Sequence, residues 1–214
     1  RDFVPTTWDE LLEIGAALNA AGITPMGAGM KDQWFADWPW LELLPVTLEN
    51  EREFIEDYLG ISGAKQTDPK YLQVYEKTQE LIDANFFSPD VNSMGLIDGW
   101  DMIPAGTAAM TMGLDALAIA WERDLGEGNV GIFLTPKYGT GDHGDKYQTG
   151  TAYSVIYKWS EVAQESADFL AFQHRSDIMK LYYELSGVIL MDDRFERDWL
   201  DTDVARQLYD WTYD

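Results

Sequence analysis

The first 27 residues carry the clearest hydrophobic pattern of the chain. One face of a predicted amphipathic helix is formed by apolar or small residues at helical spacing, namely Trp8, Leu11, Leu12, Gly15 and Leu18. Thr7 precedes this helix and Glu10 follows three residues later, which is the spacing of a capping box. Gly22 is placed to end the helix in the left-handed conformation, and residues 23–27 predict a short strand.

The rest of the chain alternates between helical and strand patterns. Helices are predicted from residue 34 to about 44 with a kink at Pro39, and over 50–59, 70–85, part of 96–105, 115–125, 160–172 with Ser160 as N-cap, 176–185 ending at Gly187, and 197–211. Strands are predicted over 107–112, 129–135 and 151–157. Helices that alternate with short strands indicate the α/β class.

The charge balance argues against two classes of partner. The 214 residues include 38 acidic and 15 basic side chains, which gives a net charge of -23 at pH 7. Nucleic-acid phosphates and anionic membrane surfaces bind basic proteins, so neither partner is expected. Because a large net charge also keeps molecules apart, we expect a monomer.

Residue counts limit the chemistry as well. The chain has no cysteine, which excludes disulfides, thiol catalysis and cysteine-ligated zinc. Its two histidines, His143 and His174, lie far apart without metal-binding spacing, so we expect no metal and no other cofactor. The chain contains no run of 18 apolar residues and begins at Arg1, and we interpret it as a processed or truncated product whose signal segment is not in the sequence.

Two motifs match known binding sites only in part. Residues 139–144 fit the dinucleotide pattern G-x-G-x-x-G, but residues 145–150 favour a loop over the helix that such a site requires. Residues 90–101 half-match a calcium-binding loop, although Met94 stands where an oxygen ligand is needed. We interpret the first as a surface loop and the second as a turn, and weak calcium binding near Asp90 stays open.

An aromatic cluster follows the first strand. It consists of Trp34, Phe35, Trp38 and Trp40. The i, i+4 spacing of Trp34 and Trp38 is typical of core packing. Trp34 also follows a polar loop that ends in Asp32 and Gln33, so a second interpretation is a ring that stacks on a sugar while the polar groups bind hydroxyls.

Three segments in order resemble one protein family. They are residues 5–11 with 21–25, residues 106–113, and residues 160–172, whose sequences are similar to the P-x-T-W-x-E-L opening, the GkaAM…G motif and the A-x-x-F-l-x-f helix of family 1 extracellular solute-binding proteins. This is the maltose-binding-protein-like family, the carbohydrate-binding components of ABC importers. Its members have two α/β lobes, and the ligand binds in the cleft between them.

The resemblance implies an incomplete two-lobe architecture of the periplasmic-binding-protein type (type II), in which helices flank a short mixed sheet. Residues 1–150 then correspond to the second, C-terminal lobe. Residues 151–214 correspond to a hinge strand and to helices that return toward the first lobe.

The resemblance also assigns ligand-binding positions. Trp34 falls on the family's aromatic stacking position, and Asp32 and Gln33 occupy the adjoining loop. Leu114 and Asp115 occupy a second ligand position that is often aromatic in the family. This departure implies either a small polar sugar that the Asp115 carboxylate binds or an Asp115 that merely caps the next helix. Two further candidates are Gln148 and Thr149.

We therefore expect a binding protein and not an enzyme. It would bind a mono- or oligosaccharide in the periplasm or outside the cell, with a cell-surface lipoprotein as one form, and deliver it to an ABC permease in the membrane. Two alternatives remain open. One is a carbohydrate-active hydrolase with an acidic pair, which the abundance of carboxylates neither identifies nor excludes. The other is a structural domain that has lost its ligand.

Overall fold

The computed structural model describes residues 4–32, 43–48, 51–138 and 154–213. The chain divides into two compact units. The first comprises Arg1–Gly113 with Phe133–Gln148, and the second comprises Leu114–Ile132 with Thr149–Asp214. The chain therefore leaves the first unit after Gly113, returns at Phe133 and leaves again after Gln148.

The first unit combines helices with a short parallel sheet. Its described elements are α1 (Trp8–Ala20), β1 (Thr24–Met26), a 3-10 turn (Leu44–Thr47), α2 (Glu51–Tyr58), α3 (Pro69–Asp83), α4 (Leu96–Asp101) and β2 (Ala108–Met110). The two strands pair in parallel, with Thr24 opposite Ala108 and Met26 opposite Met110. The predicted helices and strands in these ranges are confirmed, with boundaries shifted by a few residues.

The predicted capping of α1 is confirmed in atomic detail. The Thr7 hydroxyl accepts a 3.3 Å hydrogen bond from the Glu10 backbone N–H, and Glu10 Oε2 accepts a 3.1 Å bond from the Thr7 N–H. Gly22 has a φ of 75°, as the predicted left-handed stop requires. The side chains of Trp8 and Leu11 are buried on the predicted face, and the ring of Phe86 packs directly over Gly15.

The core of the first unit lies between α1, the sheet, the 3-10 turn and α3. Its buried members are Trp8, Leu11, Met26, Leu43, Leu44, Val46, Leu48, Tyr71, Val74, Leu81, Phe86 and Tyr138. Tyr138, which comes from a later part of the chain, packs against this core. Its ring meets that of Trp8 edge-on at 5.2 Å, and its hydroxyl donates a 2.5 Å hydrogen bond to the Leu43 carbonyl.

The second unit consists of helices in the described residues. These are α5 (Asp115–Leu125), α6 (Ala163–Gln173), α7 (Ser176–Ser186), a 3-10 turn (Arg197–Trp199) and α8 (Asp203–Tyr213). Glu122 joins α5 to the start of α8, because its Oε2 accepts a 2.8 Å hydrogen bond from the Val204 backbone N–H. Arg123 pairs with Asp201 through two hydrogen bonds of 2.8 and 2.9 Å.

Some predicted elements are wrong. No strand forms over 129–135 or over the described part of 151–157. A strand requires a neighbouring strand for its ladder of backbone hydrogen bonds, and within the described residues the only sheet is formed by β1 and β2. Helix α6 starts at Ala163 with Val162 as its N-cap, since the Ser160 hydroxyl accepts from the Val162 N–H in a local turn. The predicted helix 197–211 is divided into a 3-10 turn and α8.

The predicted fold class, a short sheet flanked by helices, is confirmed, and its two described strands run parallel. The predicted helix that begins at residue 34 lies outside the described residues, apart from Leu43 and Leu44. The division into lobes near residue 150 stays a prediction.

Candidate functional site

The carboxyl ends of β1 and β2 define the candidate site in the first unit. Because the strands are parallel, the residues that follow each of them leave the sheet at the same edge. Residues 27–32 follow β1 and residues 111–113 follow β2. Open α/β sheets commonly bind ligands at this edge, where loops replace the ladder.

Backbone hydrogen bonds hold the loop 27–32 along almost its whole length. The Gly27 N–H donates to the Met110 carbonyl at 2.8 Å, the Met30 N–H to the Val91 carbonyl at 2.8 Å, and the Lys31 N–H to the Met94 carbonyl at 3.1 Å. The loop is therefore attached both to β2 and to the segment that precedes α4.

Asp32 is the last described residue of this loop. Its Oδ2 accepts a 2.9 Å hydrogen bond from the backbone N–H of Leu96, the first residue of α4. This oxygen therefore has a partner within the protein. A ligand-binding role for Asp32 stays a prediction.

Two further contacts fix the chain after β2. The Thr111 hydroxyl donates a 2.7 Å hydrogen bond to the Gly27 carbonyl, which joins the two loops directly. The indole Nε1 of the buried Trp100 donates a 3.3 Å bond to the Met112 carbonyl. Residues 111–112 are thereby attached to the loop after β1 and to α4.

Leu114 and Asp115 begin the second unit. Leu114 is the N-cap residue of α5 and is about half exposed. The Asp115 carboxylate is half-buried, and its Oδ1 accepts a 2.7 Å hydrogen bond from the Ala116 N–H. Burial raises the pKa of the Asp115 carboxyl, while backbone N–H groups of the first turn act in the opposite direction. Asp115 is the first residue of α5, and the N-cap residue Leu114 makes no side-chain cap hydrogen bond. A sugar contact by Asp115 stays a prediction.

The other site candidates, Gln33, Trp34, Gln148 and Thr149, lie outside the described residues. So do the G-x-G-x-x-G segment and His143. In the described ranges, no group of three or more metal-ligating side chains forms. The Asp90 carbonyl accepts from the N–H groups of Ser93 and Met94, as expected for the turn interpretation.

The sequence did not predict an apolar groove in the second unit. The groove is open to solvent, has a volume of about 340 Å³, and lies between residues 154–156 and α6. It is lined by Val155, Ile156, Phe169 and Leu170 together with the polar Ser154, Glu165 and Ser166. Helix α6 buries none of its residues. The apolar residues of 154–156 and α6 are visible in the sequence, but their exposure, which forms the groove, is not.

No family model and no curated protein matches the chain. Solved structures match nearly all of it. One comes from work on xylan utilization by the thermophilic bacterium Caldanaerobius polysaccharolyticus, with TM-score 0.78, 21% identity, and coverage of 99% of this chain and 55% of that one. A chitin oligosaccharide binding protein matches with TM-score 0.76 and 20% identity over 98% of this chain and 53% of its own. The chain has the fold of part of a solute-binding protein.

A third match leads to the same fold. A sugar transporter from Bacillus licheniformis, solved in complex with stachyose, matches with TM-score 0.73 and 17% identity over 99% of this chain and 54% of its own. The chain spans about half the length of these structures. None of the helices within the described ranges is long and apolar enough to cross a membrane.

Proposed function

We propose that the chain is part of the substrate-binding component of an ABC transporter and that this component binds a mono- or oligosaccharide for uptake. The observation that carries the proposal is the match of almost the whole chain to proteins named for binding chitin oligosaccharide or solved with stachyose. The parallel strands with loops at their common carboxyl edge support it, since this is where such folds bind ligands.

In this proposal the ligand contacts come from loops at that edge and from the residues after them. Trp34 stacks on a sugar ring, and Asp115 accepts hydrogen bonds from hydroxyls. The remaining proposed contacts are Gln33, Leu114, Gln148 and Thr149. A half-buried carboxylate suits this role, because the hydrogen bonds that a carboxylate accepts are stronger than those between neutral groups.

We further propose that residues 1–150 form most of one lobe and that residues 151–214 pack against the other half of the full-length protein. Helix α6 has no buried residue, and Phe169 and Phe172 are exposed on it. An apolar face of this kind is usually covered by another surface. Amide exchange over 163–173 should be slower in the full-length protein than in the 214-residue chain, and equal exchange would contradict this packing.

The proposed partner is a membrane permease, which receives the sugar on the outer side of the membrane. Sugar binding would favour a closed arrangement of the lobes, and the permease would recognise that arrangement through its differential affinity for it. The proposed location is the periplasm or the cell exterior.

A thermal-shift screen of the full-length protein against neutral mono- and oligosaccharides tests the proposal. A ligand that binds only the folded state raises the melting temperature, by an amount that grows with its concentration. A broad panel without any shift would reject sugar binding. Sustained release of the aryl group from aryl-glycosides by the purified protein would favour the hydrolase instead.

A further inference from the structure

The start of α4 depends on a distant residue for its cap. Gly95 occupies the N-cap position and has no side chain to accept a hydrogen bond. The first backbone N–H groups of a helix have no partner within the helix itself. Asp32, 64 residues earlier in the chain, supplies one through the 2.9 Å bond from Leu96 N–H to its Oδ2.

Glycines bring the loop and the helix close enough for this contact. A Cβ atom at Gly29 would lie 1.9 Å from the Gly95 carbonyl oxygen, and one at Gly99 would lie 2.3 Å from the carbonyl carbon of Ala28. Any side chain at either position would force the loop 27–32 away from α4. The loop and the helix therefore meet backbone to backbone.

The Asp32 contact is the last in a series. The N–H groups of Met30 and Lys31 donate to carbonyls of Val91 and Met94, and the carboxylate of Asp32 then accepts from Leu96. Consecutive residues of the loop thus bond to consecutive parts of the segment 91–96. The next residues of the sequence are Gln33 and Trp34.

We propose that Asp32 is a positioning residue, which fixes the loop 27–32 of the candidate site on α4, and that it does not bind the sugar by its charge. This inference rests on the proposed function. It differs from the role that the resemblance implies for Asp32, since the carboxylate acts through Leu96.

Two substitutions separate the roles. Asp32→Ala removes the acceptor, whereas Asp32→Asn keeps an oxygen that can accept from the Leu96 N–H but removes the charge. Asp98→Ala is the matched control, because it removes an exposed carboxylate that belongs to the first turn of α4 itself. Each variant of the full-length protein is examined by amide hydrogen exchange at Leu96 and by titration with the sugar that gives the largest thermal shift.

Exchange at Leu96 is expected to accelerate by about tenfold or more in Asp32→Ala, which corresponds to the loss of one charge-assisted hydrogen bond. It should change by less than about threefold in Asp32→Asn and Asp98→Ala, because both keep an acceptor for this amide. Sugar affinity should fall about tenfold in Asp32→Ala and stay close to that of wild type in Asp32→Asn and Asp98→Ala.

Three outcomes would overturn the inference or separate it from the proposed function. Unchanged Leu96 exchange in Asp32→Ala would show that Asp32 does not hold the loop. An Asp32→Asn variant that keeps slow exchange but loses as much sugar affinity as Asp32→Ala would make Asp32 a charged ligand group. If the wild-type protein binds no sugar, the proposed function fails, and the exchange data still decide whether Asp32 fixes the loop.

Discussion

Nε1 of Trp8 donates a 2.6 Å hydrogen bond to Oε2 of Glu80, and this contact joins α1 to α3. Trp8 is only 4% exposed. The Lys77 ammonium completes the arrangement, because it lies 5.2 Å from the centre of the Trp8 ring and bonds to both Glu80 oxygens at 2.9 Å. One buried aromatic ring is therefore held by an anion at its N–H and a cation at its face.

Glu80→Ala should lower the free energy of unfolding by about 1–2 kcal/mol, because a buried indole N–H loses its partner. Glu76→Ala is the matched control, since Glu76 is exposed on the same helix and should change stability by less than about 0.5 kcal/mol. Urea denaturation measures both. Equal stability of the two variants would show that the Trp8–Glu80 bond contributes nothing net.

Stability at low pH should depend on Asp57, whose side chain is 2% exposed and pairs with Lys70. Burial of the Asp57 carboxyl works against its charged form, but hydrogen bonds from Lys70, Ser62 and Tyr71 outweigh burial, so the pKa of Asp57 lies below its usual value. A lowered folded-state pKa stabilises the protein above the unfolded-state pKa of about 4, and this stabilisation is lost as pH falls through the folded-state pKa.

Asp57→Asn should therefore cost about 2 kcal/mol at pH 7 and decline less steeply than wild type below about pH 4. Unfolding measured at several pH values gives both quantities. The exposed Asp124→Asn serves as control and should leave the profile unchanged. Parallel profiles of wild type and Asp57→Asn would contradict the assignment.

A side chain at Gly187 should destabilise the protein. This glycine ends α7 with a φ of 74°, and a Cβ there would lie 3.2 Å from the Ala116 carbonyl oxygen. Gly187→Ala is expected to destabilise the protein by about 1–2 kcal/mol through backbone strain. At Gly131 a Cβ meets no atom within 4 Å, so Gly131→Ala should be close to neutral when melting temperatures are compared.

Local signals predicted the fold of the first unit well. Thr7, Glu10 and Gly22 act on their immediate neighbours, so their spacing alone was sufficient to place α1. The strand predicted over 129–135 is absent, because a strand depends on a partner that its own residues do not specify.

Two hydrogen bonds between distant parts of the sequence could not be predicted from local patterns. Asp32 reaches Leu96 over 64 residues, and Glu122 reaches Val204 over 82. Asp32 caps a helix start at which Gly95 has no side chain, whereas Glu122 adds to a local cap, the Thr202 hydroxyl that accepts from the Ala205 N–H. A sequence with 38 acidic residues does not single out either carboxylate. Trp34, Gln33, Gln148 and Thr149 stay predictions for the candidate site.

Isothermal titration of the full-length protein with neutral oligosaccharides tests the central claim most directly. We predict saturable binding of one sugar molecule per protein, weakened at least about tenfold by Trp34→Ala, which removes the stacking ring. Tyr75→Ala, which removes an exposed aromatic side chain on α3, should bind as tightly as wild type. A folded protein that gives no binding heat with any of the sugars would contradict this prediction.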